Sequence, residues 1–373
     1  MLMTAYMFVS TLYASETRVA TMGGNGYYMR DNSNIFIFPG AFYQYKKQAI
    51  AELRVKNNDQ YYTIGVHLPV DTLNVAGVYF NRPMSLYLPS IGLEHVRLDR
   101  VTTVLYGRKM QDFDAGLGIS LGFDSYTDES SSDTDPQINE GARYIALHGG
   151  LSNEKMDLGG KFELPHLSRD VDSLSSTVSG FNLGVNGRYF YQWQRNIDLI
   201  PLAVANYGSA TAETDNPAPA ANTKIDYKNL TFALGLGANY NINSKNLLVL
   251  GLEAIGFYQN TMEVKDGPKN TNTTMTIPGI YMGIESNISK WFTGRLGAAQ
   301  VYQKLTDKTE LGGDSMENSE YRTQFRLSFG LGINLGKFLL DASINEGLLF
   351  DGPNFISGTG EVLANRLSLT YMF

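Results

Sequence analysis

The sequence predicts an all-β fold, a single transmembrane antiparallel β-barrel of about fourteen to sixteen strands with an N-terminal plug in its lumen. Three observations lead to this prediction. Long segments alternate apolar and polar residues with a period of two, short and long connections alternate along the chain, and the last strand-like segment ends in the aromatic residue Phe373.

The composition limits the class of protein. Of the 373 residues, 43% are hydrophobic and 12% are aromatic, so the chain is too apolar to be disordered. No run of about 18 apolar residues occurs, which excludes a bundle of membrane-spanning helices. The net charge of −7 argues against a nucleic-acid partner, and the lack of cysteine excludes disulfides and thiolate metal sites.

The alternation is clearest in the segment 320–335. Its odd positions, from Tyr321 to Leu335, are almost all apolar, whereas its even positions are charged, polar or glycine. The segments 226–241 and 178–192 alternate in the same way. They run for about 10 to 16 residues, which suits tilted strands that cross a bilayer. A face of Gly, Ser and Asn suits a water-filled lumen, and the opposite apolar face suits lipid.

Tight and long connections alternate along the chain, as in outer-membrane barrels with short periplasmic turns. Tight turns are predicted near Asn153, Trp193, Asn243, Ser289 and Gly336. Long loops are predicted at 126–141, 166–177, 209–225, 263–272, 307–319 and 348–360. Sixteen strands are predicted, at 46–56, 60–69, 72–80, 101–109, 113–125, 142–152, 155–165, 178–192, 195–208, 226–241, 246–262, 273–287, 290–306, 320–335, 337–347 and 361–373. The first three are the weakest, so a count of fourteen stays open.

Two residue types suggest how the barrel meets its surroundings. Trp193 and Trp291 fall beside predicted tight turns, where an aromatic girdle at the membrane interface would lie. The loop 126–141 is rich in Asp and Glu. We expect it to be a solvated surface loop, with a divalent-cation bridge to lipopolysaccharide as the alternative.

The two ends of the chain carry features of export and assembly. Residues 1–15 are uncharged and mostly apolar, as in a signal peptide whose basic start is missing; a buried first strand or helix is the alternative. At the other end, Leu369, Tyr371 and Phe373 share the apolar face of the last strand. This pattern resembles the sorting signal read by the outer-membrane assembly machinery. It predicts an outer membrane of Gram-negative type, with membrane lipid and lipopolysaccharide as partners.

The segment 18–40 is unlike the barrel strands. It carries Met22-Gly23-Gly24, then Asp31 and Asn34, and Phe38-Pro39-Gly40. It resembles the N-terminal motif of the FadL-like long-chain fatty acid transporter superfamily, which includes the PorV-like barrels. In that family Asn-Pro-Ala is usual where Phe38-Pro39-Gly40 stands here. The resemblance implies that residues 16–45 plug a barrel formed by 46–373, and that hydrophobic substrates leave sideways through a kink in one strand. A first strand or a periplasmic tail are the alternatives to the plug.

Charged residues on the polar strand faces are predicted to point into the lumen, because an Arg facing lipid at mid-depth costs about 2–4 kcal/mol. They are Arg188, Glu253, Glu285, Arg295, Arg322, Arg326 and Arg366. They form either a transport path that favours anions or an ion-pair network that braces the barrel or its plug. Pro278 interrupts a strong strand pattern and marks either a kink in the wall or a strand end.

The chain carries no catalytic motif, since its four histidines lack metal spacing and neither a nucleophile elbow nor a P-loop occurs. We therefore expect no enzyme activity, no metal and no cofactor. The leading expectation, from the resemblance, is uptake of fatty-acid-like hydrophobic molecules by capture in the lumen and lateral release. The alternatives are a PorV-like scaffold barrel of a protein secretion system and a passive diffusion porin.

Overall fold

The computed structural model describes residues 15–24, 26–56, 59–84, 91–96, 98, 100–128, 137–216, 222–344 and 364–373. The predicted signal peptide lies outside these residues except for Ser15. The strands are β1 Gln48–Lys56, β2 Asp59–Pro69, β3 Asn74–Pro83, β4 Arg100–Lys109, β5 Asp114–Asp128, β6 Ile138–Ser152, β7 Met156–Val171, β8 Leu174–Tyr189, β9 Tyr191–Gln194, β10 Ile197–Asp215, β11 Thr223–Asn243, β12 Asn246–Val264, β13 Lys269–Asn287, β14 Phe292–Leu311, β15 Asp314–Leu335, β16 Phe338–Ile344 and β17 Ala364–Met372.

Among the residues that the structure describes, helical structure is confined to the N-terminal segment. It consists of α1, Glu16–Thr21, and three 3-10 helices at Gly26–Tyr28, Asn32–Phe36 and Pro39–Tyr45. Across the described ranges, no helix is long and apolar enough to cross a membrane.

The strands form one closed antiparallel barrel. Each strand pairs with its neighbour in sequence, and β1 closes on β17 in a register from Gln48↔Met372 to Arg54↔Arg366. Because β8 and β9 follow each other along the same edge of β10, separated only by Phe190, they count as one strand of the barrel. The seventeen strand segments therefore make a sixteen-stranded barrel. This confirms the predicted fold class and decides between the two predicted strand counts.

The two rims of the barrel differ. We call the end where β1 begins and β17 ends the proximal rim, and the opposite end the distal rim. At the proximal rim the predicted tight turns are confirmed, for example the turn that joins β15 to β16 through Gly336.

At the distal rim, four of the six predicted long loops are strand over most of their length: 166–177, 209–225, 263–272 and 307–319. Within 307–319, β14 and β15 run on to Leu311 and Asp314, joined only by Gly312-Gly313 at φ of +60° and +96°. Strands also fill most of 166–177 and 263–272 and the ends of 126–141 and 209–225, whereas 348–360 lies outside the described residues. In the extensions of β14 and β15 the physical reason is that both faces are mainly polar, so alternation disappears while the ladder hydrogen bonds persist.

The outer surface of the barrel is apolar. Large side chains such as Leu117, Phe123 and Leu183 are exposed on the outward face, and so are Leu369 and Phe373 of the last strand. A continuous apolar belt of this kind is not stable against water, so it indicates a wall that faces lipid.

Both tryptophans, Trp193 and Trp291, are also exposed beside proximal turns. At the same rim, on β16 and β17, the ring of Tyr371 lies 4.7 Å from that of Phe338. These positions suit the aromatic girdle that the sequence predicts.

Candidate functional site

The N-terminal segment, residues 15–24 and 26–45, lies inside the proximal half of the barrel, and we call it the plug. Helix α1 contacts β14 to β17, the 3-10 helix Gly26–Tyr28 contacts β10 to β12, and Pro39–Tyr45 contacts β3 to β7. Ile35 and Phe38 are fully buried between the plug and the wall. The plug therefore meets the wall on nearly all sides.

Glycines on the inner wall let the plug backbone lie directly against the strands. A Cβ atom at Gly159 would lie 1.9 Å from the carbonyl oxygen of Ile37, and one at Gly116 would lie 1.8 Å from that of Pro39. No larger residue fits at either position without moving the backbone of the plug.

We call the close contacts of the plug with Gly159 and Gly116 its seats on the wall. A third seat lies on the opposite wall and holds the side chain of Tyr28. This side chain occupies a notch formed by three glycines of β11 and β12, at each of which a Cβ atom would come within 2.6 Å of the ring or its hydroxyl oxygen: Gly235, Gly237 and Gly251. The Tyr28 hydroxyl donates a hydrogen bond of 3.2 Å to the carbonyl of Leu252. Glycines at inward positions of the strands thus give the inner wall a shape that fits the plug.

The residues of the N-terminal motif shape the plug itself. Gly23 and Gly24 turn the chain after Met22 with φ of +89° and +79°, a conformation that favours glycine. Asp31 accepts a hydrogen bond of 2.9 Å from the backbone N–H two residues on and so caps the next 3-10 helix. The Asn34 Nδ2 atom donates to two backbone carbonyls of the plug, at 2.6 and 3.1 Å.

Buried ion pairs attach α1 to the wall. The Arg18 guanidinium binds both carboxylate oxygens of Glu285, at 2.7 and 2.9 Å, and lies 3.4 Å from Asp31. Arg295 bridges Glu285 and Asp341, at 2.6 Å each. Burial alone would lower the pKa of Arg18, but the carboxylates of Glu285 and Asp31 more than offset it and raise that pKa, so Arg18 stays charged.

Arg188 forms a second anchor on the β7–β8 side. Its Nε donates to Asp157 at 2.8 Å, and its Nη1 donates to the plug carbonyls of Tyr27 at 2.7 Å and Met29 at 2.8 Å. The guanidinium also lies over the ring of Phe38, 4.4 Å from its centroid. Both anchors are charge-assisted and buried, which favours a plug with one fixed position.

Replacing Arg18 with alanine should destabilise the protein strongly. Glu285 and Asp31 would lose their buried partner, and breaking a buried pair in this way costs about 3–5 kcal/mol. The readout is thermal unfolding in detergent, followed by circular dichroism, together with protease cleavage of the plug. Arg322→Ala is the matched control, because the ion pair of Arg322 with Glu320 is exposed. Equal unfolding temperatures for the two variants would contradict the assigned role of Arg18.

A cavity of about 980 Å³ lies on the distal side of the plug. Its floor is formed by plug residues from Glu16 to Ile37, and its walls are formed by β10 to β17 together with Arg82 of β3. The volume is in the range of sites that hold drug-sized organic molecules.

The two ends of this cavity differ in chemistry. The end at β10 and β11 is lined mainly by apolar and aromatic side chains, with Asn206 and Thr231 beside them: Val19, Tyr27, Leu202, Val204 and Ala233. The end at β15, β17 and β3 is lined by three arginines: Arg82, Arg326 and Arg366. Glu16, at the same end, is paired with Arg54. The cavity is therefore amphipathic, with a cationic end.

The wall is irregular where β12 and β13 border this cavity. Their residues pair regularly up to Glu253↔Gly279 and again from Gly256↔Thr276, but the two residues between on each strand are unpaired. These include Pro278, which has no N–H to donate to the ladder. Glu253, Gly256 and Thr276 all line the cavity, so the break in the ladder opens onto it.

Each of these strands carries one extra residue at the break. On β12 it is Ala254, because Gly235 pairs with Glu253 and Leu234 with Ile255. On β13, Ile277 and Pro278 lie opposite one residue of β14. Two facing bulges bend a wall locally and reduce its hydrogen bonding.

The structure separates the predicted lumen charges into groups. Three hold the plug or its partners: Arg188, Glu285 and Arg295. Three line the cavity: Glu253, Arg326 and Arg366. Arg322 lies on the same face of β15 as Arg326 but is exposed and paired with Glu320. In the part of the chain that the structure describes, no group of His, Asp and Glu could hold a metal ion.

Sequence reasoning missed Arg82 of the cavity wall. The predicted strand 72–80 ends before Asn81-Arg82-Pro83. In the structure Asn81 has φ of +56° and forms a bulge, so that β3 continues to Pro83 and carries Arg82 inward.

No protein-family model and no curated protein sequence matches this chain. Among solved structures it is similar to the toluene transporter TodX of Pseudomonas putida, with 12% identity, a TM-score of 0.39 and 96% of both chains covered. It is also similar to the monoaromatic hydrocarbon channel CymD, with 10% identity, a TM-score of 0.39 and 98% of both chains covered. The ferric yersiniabactin receptor FyuA of Yersinia pestis gives 10% identity and a TM-score of 0.39 over 88% of this chain and 80% of that one. At these identities and TM-scores, the activity of a neighbour does not carry over to this chain.

Proposed function

We propose that this protein is an outer-membrane barrel that takes up hydrophobic small molecules with an acidic head group, such as fatty acids. A molecule is captured in the cavity from the distal side and released sideways through the break between β12 and β13. The observation that carries the proposal is an amphipathic cavity that ends at an irregular part of the wall. In this orientation the distal rim faces the outside of the cell.

The plug favours this proposal over a passive diffusion porin. Its backbone lies against glycines on opposite walls, and two buried arginine anchors hold it in place. A hydrated solute that follows the barrel axis would meet this plug. A hydrophobic solute has a shorter way out through the lipid-facing wall.

The break between β12 and β13 supports lateral release. The outward side chains beside it, Ile277, Ile280 and Met282, are exposed and apolar. A hydrophobic tail that passes between the strands therefore meets apolar surface on the lipid side. On the lumen side, the same tail moves away from the polar side chain of Glu253, whose carboxylate accepts a hydrogen bond of 3.4 Å from the Tyr281 hydroxyl.

The arginines at the other end of the cavity support an acidic head group. Within the described residues, Arg326 and Arg366 make no ion pair, although both line the cavity. A carboxylate placed there would gain charge-assisted hydrogen bonds. A bound molecule would then point its tail across the cavity towards the break.

The double variant Arg326→Gln/Arg366→Gln should bind a long-chain fatty acid about tenfold more weakly than the intact protein, since a hydrogen bond to a charged group contributes about 1.5–3 kcal/mol. Binding of the corresponding fatty alcohol should change little, because it has no charge to lose. Fluorescence displacement in detergent measures both ligands. Arg322→Gln is the control variant, outside the cavity lining. Equal losses for acid and alcohol would show that the arginines do not select the head group.

Uptake of labelled fatty acid by cells tests the function as a whole. Cells that produce the protein should accumulate more label than cells with an empty vector, and no difference would contradict the proposal. If the purified protein carries a secretion partner and no lipid-like ligand, the scaffold alternative is favoured. A steady open conductance in planar bilayers would favour the porin.

A further inference from the structure

The inner wall of the distal half carries an apolar patch. Lumen-facing side chains near the distal ends of β6, β7, β8 and β10 are buried and apolar: Ala142, Leu167, Val178, Ala210 and Ala212. Inward positions of a membrane barrel are ordinarily polar because they face water. An apolar inner patch indicates that another part of the chain covers it.

The cover is part of the connection between β3 and β4, which we call the inner segment (residues 91–96 and 98). Val96 is 4% exposed and packs among the residues of the patch. Ile91, Leu93 and Leu98 pack around it, and Leu98 also reaches the cluster of Val101 and Ala146. The inner segment therefore lies inside the barrel, on the side away from the β12–β17 wall of the cavity.

One carboxylate holds the backbone of the inner segment. Glu140 of β6 is 1% exposed and accepts hydrogen bonds from three successive backbone N–H groups, those of Glu94 at 3.1 Å, His95 at 2.9 Å and Val96 at 3.1 Å. Consecutive N–H groups that converge on one anion form a nest, in which the charge satisfies all of them. Sequence reasoning had placed Glu140 in a solvated acidic loop.

Side chains on both sides reinforce this contact. The Arg169 guanidinium donates to Glu140 at 3.2 Å and to Glu94 at 3.2 Å. The ring of His95 stacks on that of Tyr126, with centroids 3.9 Å apart and an angle of 11° between the rings. The inner segment is thus fixed by the hydrogen bonds that the Glu140 carboxylate accepts from its backbone and by the packing of its apolar side chains.

We propose that the inner segment is a fixed constriction that closes the distal lumen on the β4–β11 side, and that Glu140 is the residue that positions it. Molecules entering from the distal rim are then confined to the passage along β12 to β17, which leads to the arginine end of the cavity. This inference rests on the proposed function only in taking the cavity as the destination. The position of the inner segment is testable without any ligand.

Thiol accessibility gives that test, since the protein has no native cysteine. Ala210→Cys places a reporter beneath the inner segment, and Thr274→Cys places one on the open wall of the cavity. We expect a small charged methanethiosulfonate reagent to modify Cys at position 274 quickly and Cys at position 210 at least about tenfold more slowly. Adding Glu140→Ala should raise the rate at position 210 by about tenfold or more and leave that at 274 nearly unchanged, because the nest loses its anion.

Two further variants make the test decisive. Glu140→Gln keeps one acceptor oxygen, should give a smaller increase, and serves in place of Glu140→Ala if that variant fails to show the heat-dependent gel migration of a folded barrel. Glu94→Ala removes only the exposed ion pair between Glu94 and Arg169, and it should leave position 210 protected. Equal rates at positions 210 and 274 in the otherwise unchanged protein would overturn the constriction. Continued protection of position 210 in both Glu140 variants would overturn the role of Glu140. Neither result depends on whether the protein transports anything.

Discussion

Replacing Gly159 with alanine is expected to convert a closed barrel into one that conducts ions. The added methyl carbon would lie 1.9 Å from the Ile37 carbonyl oxygen and 3.2 Å from the Phe38 Cα. Both are backbone atoms, so no side-chain rotation relieves the clash, and the plug must withdraw from β7. Alanine is better suited to a strand than the glycine it replaces, so the barrel itself should still form. Single-channel recording in planar bilayers should show silence for the intact protein and a steady conductance for the variant.

The neighbouring Gly160 provides the matched control. It lies in the same strand, and a Cβ atom there would be 3.6 Å from its nearest neighbour, the Gly184 carbonyl oxygen. Gly160→Ala should therefore remain silent and keep its plug protected from protease. A silent Gly159→Ala variant with a protected plug would show that the plug does not depend on this seat.

Deleting Ala254 and Pro278 together is expected to abolish uptake while preserving the barrel. Without these residues Glu253↔Gly279, Ile255↔Ile277 and Gly256↔Thr276 become consecutive pairs, so the ladder between β12 and β13 is continuous. The ladders to β11 and β14 become regular as well. A continuous hydrogen-bonded wall leaves no way out between the strands, so captured molecules cannot reach the lipid. Uptake of labelled fatty acid and heat-dependent gel migration measure transport and folding in the same cells.

Deletion of Asn81 is the control for this experiment. It removes the bulge of β3 opposite β4 and leaves the wall at β12 and β13 as it is. We expect this variant to keep its uptake. If the double deletion transports as well as the intact protein, release does not pass between β12 and β13.

Most of the barrel could be predicted from the sequence because lipid and lumen impose different chemistry on alternate residues. Where both faces meet water that contrast is lost, which is why β14 and β15 were predicted to end in a long loop at 307–319 although they pair up to Gly312-Gly313. The plug could be expected from its motif. Its seats could not, because a glycine on the inner face, such as Gly159, has the same appearance in the sequence whether or not it touches Ile37.

The partners within the site were also beyond reach of a single sequence. Arg18 and Glu285 are 267 positions apart, and only closure of the barrel brings them together. Pro278 could be identified as an irregularity from its place in a strong strand pattern. That Ala254 faces it from β12 follows only from the register, because alanine gives no signal of a bulge.

The most direct test of the central claim is a crystal structure of the protein with a fatty acid that carries bromine at its tail end. We expect density in the cavity, with the carboxylate at Arg326 and Arg366 and the anomalous bromine peak beside Pro278. A bromine peak at the arginine end, or a cavity without the fatty acid at saturating concentration, would contradict it.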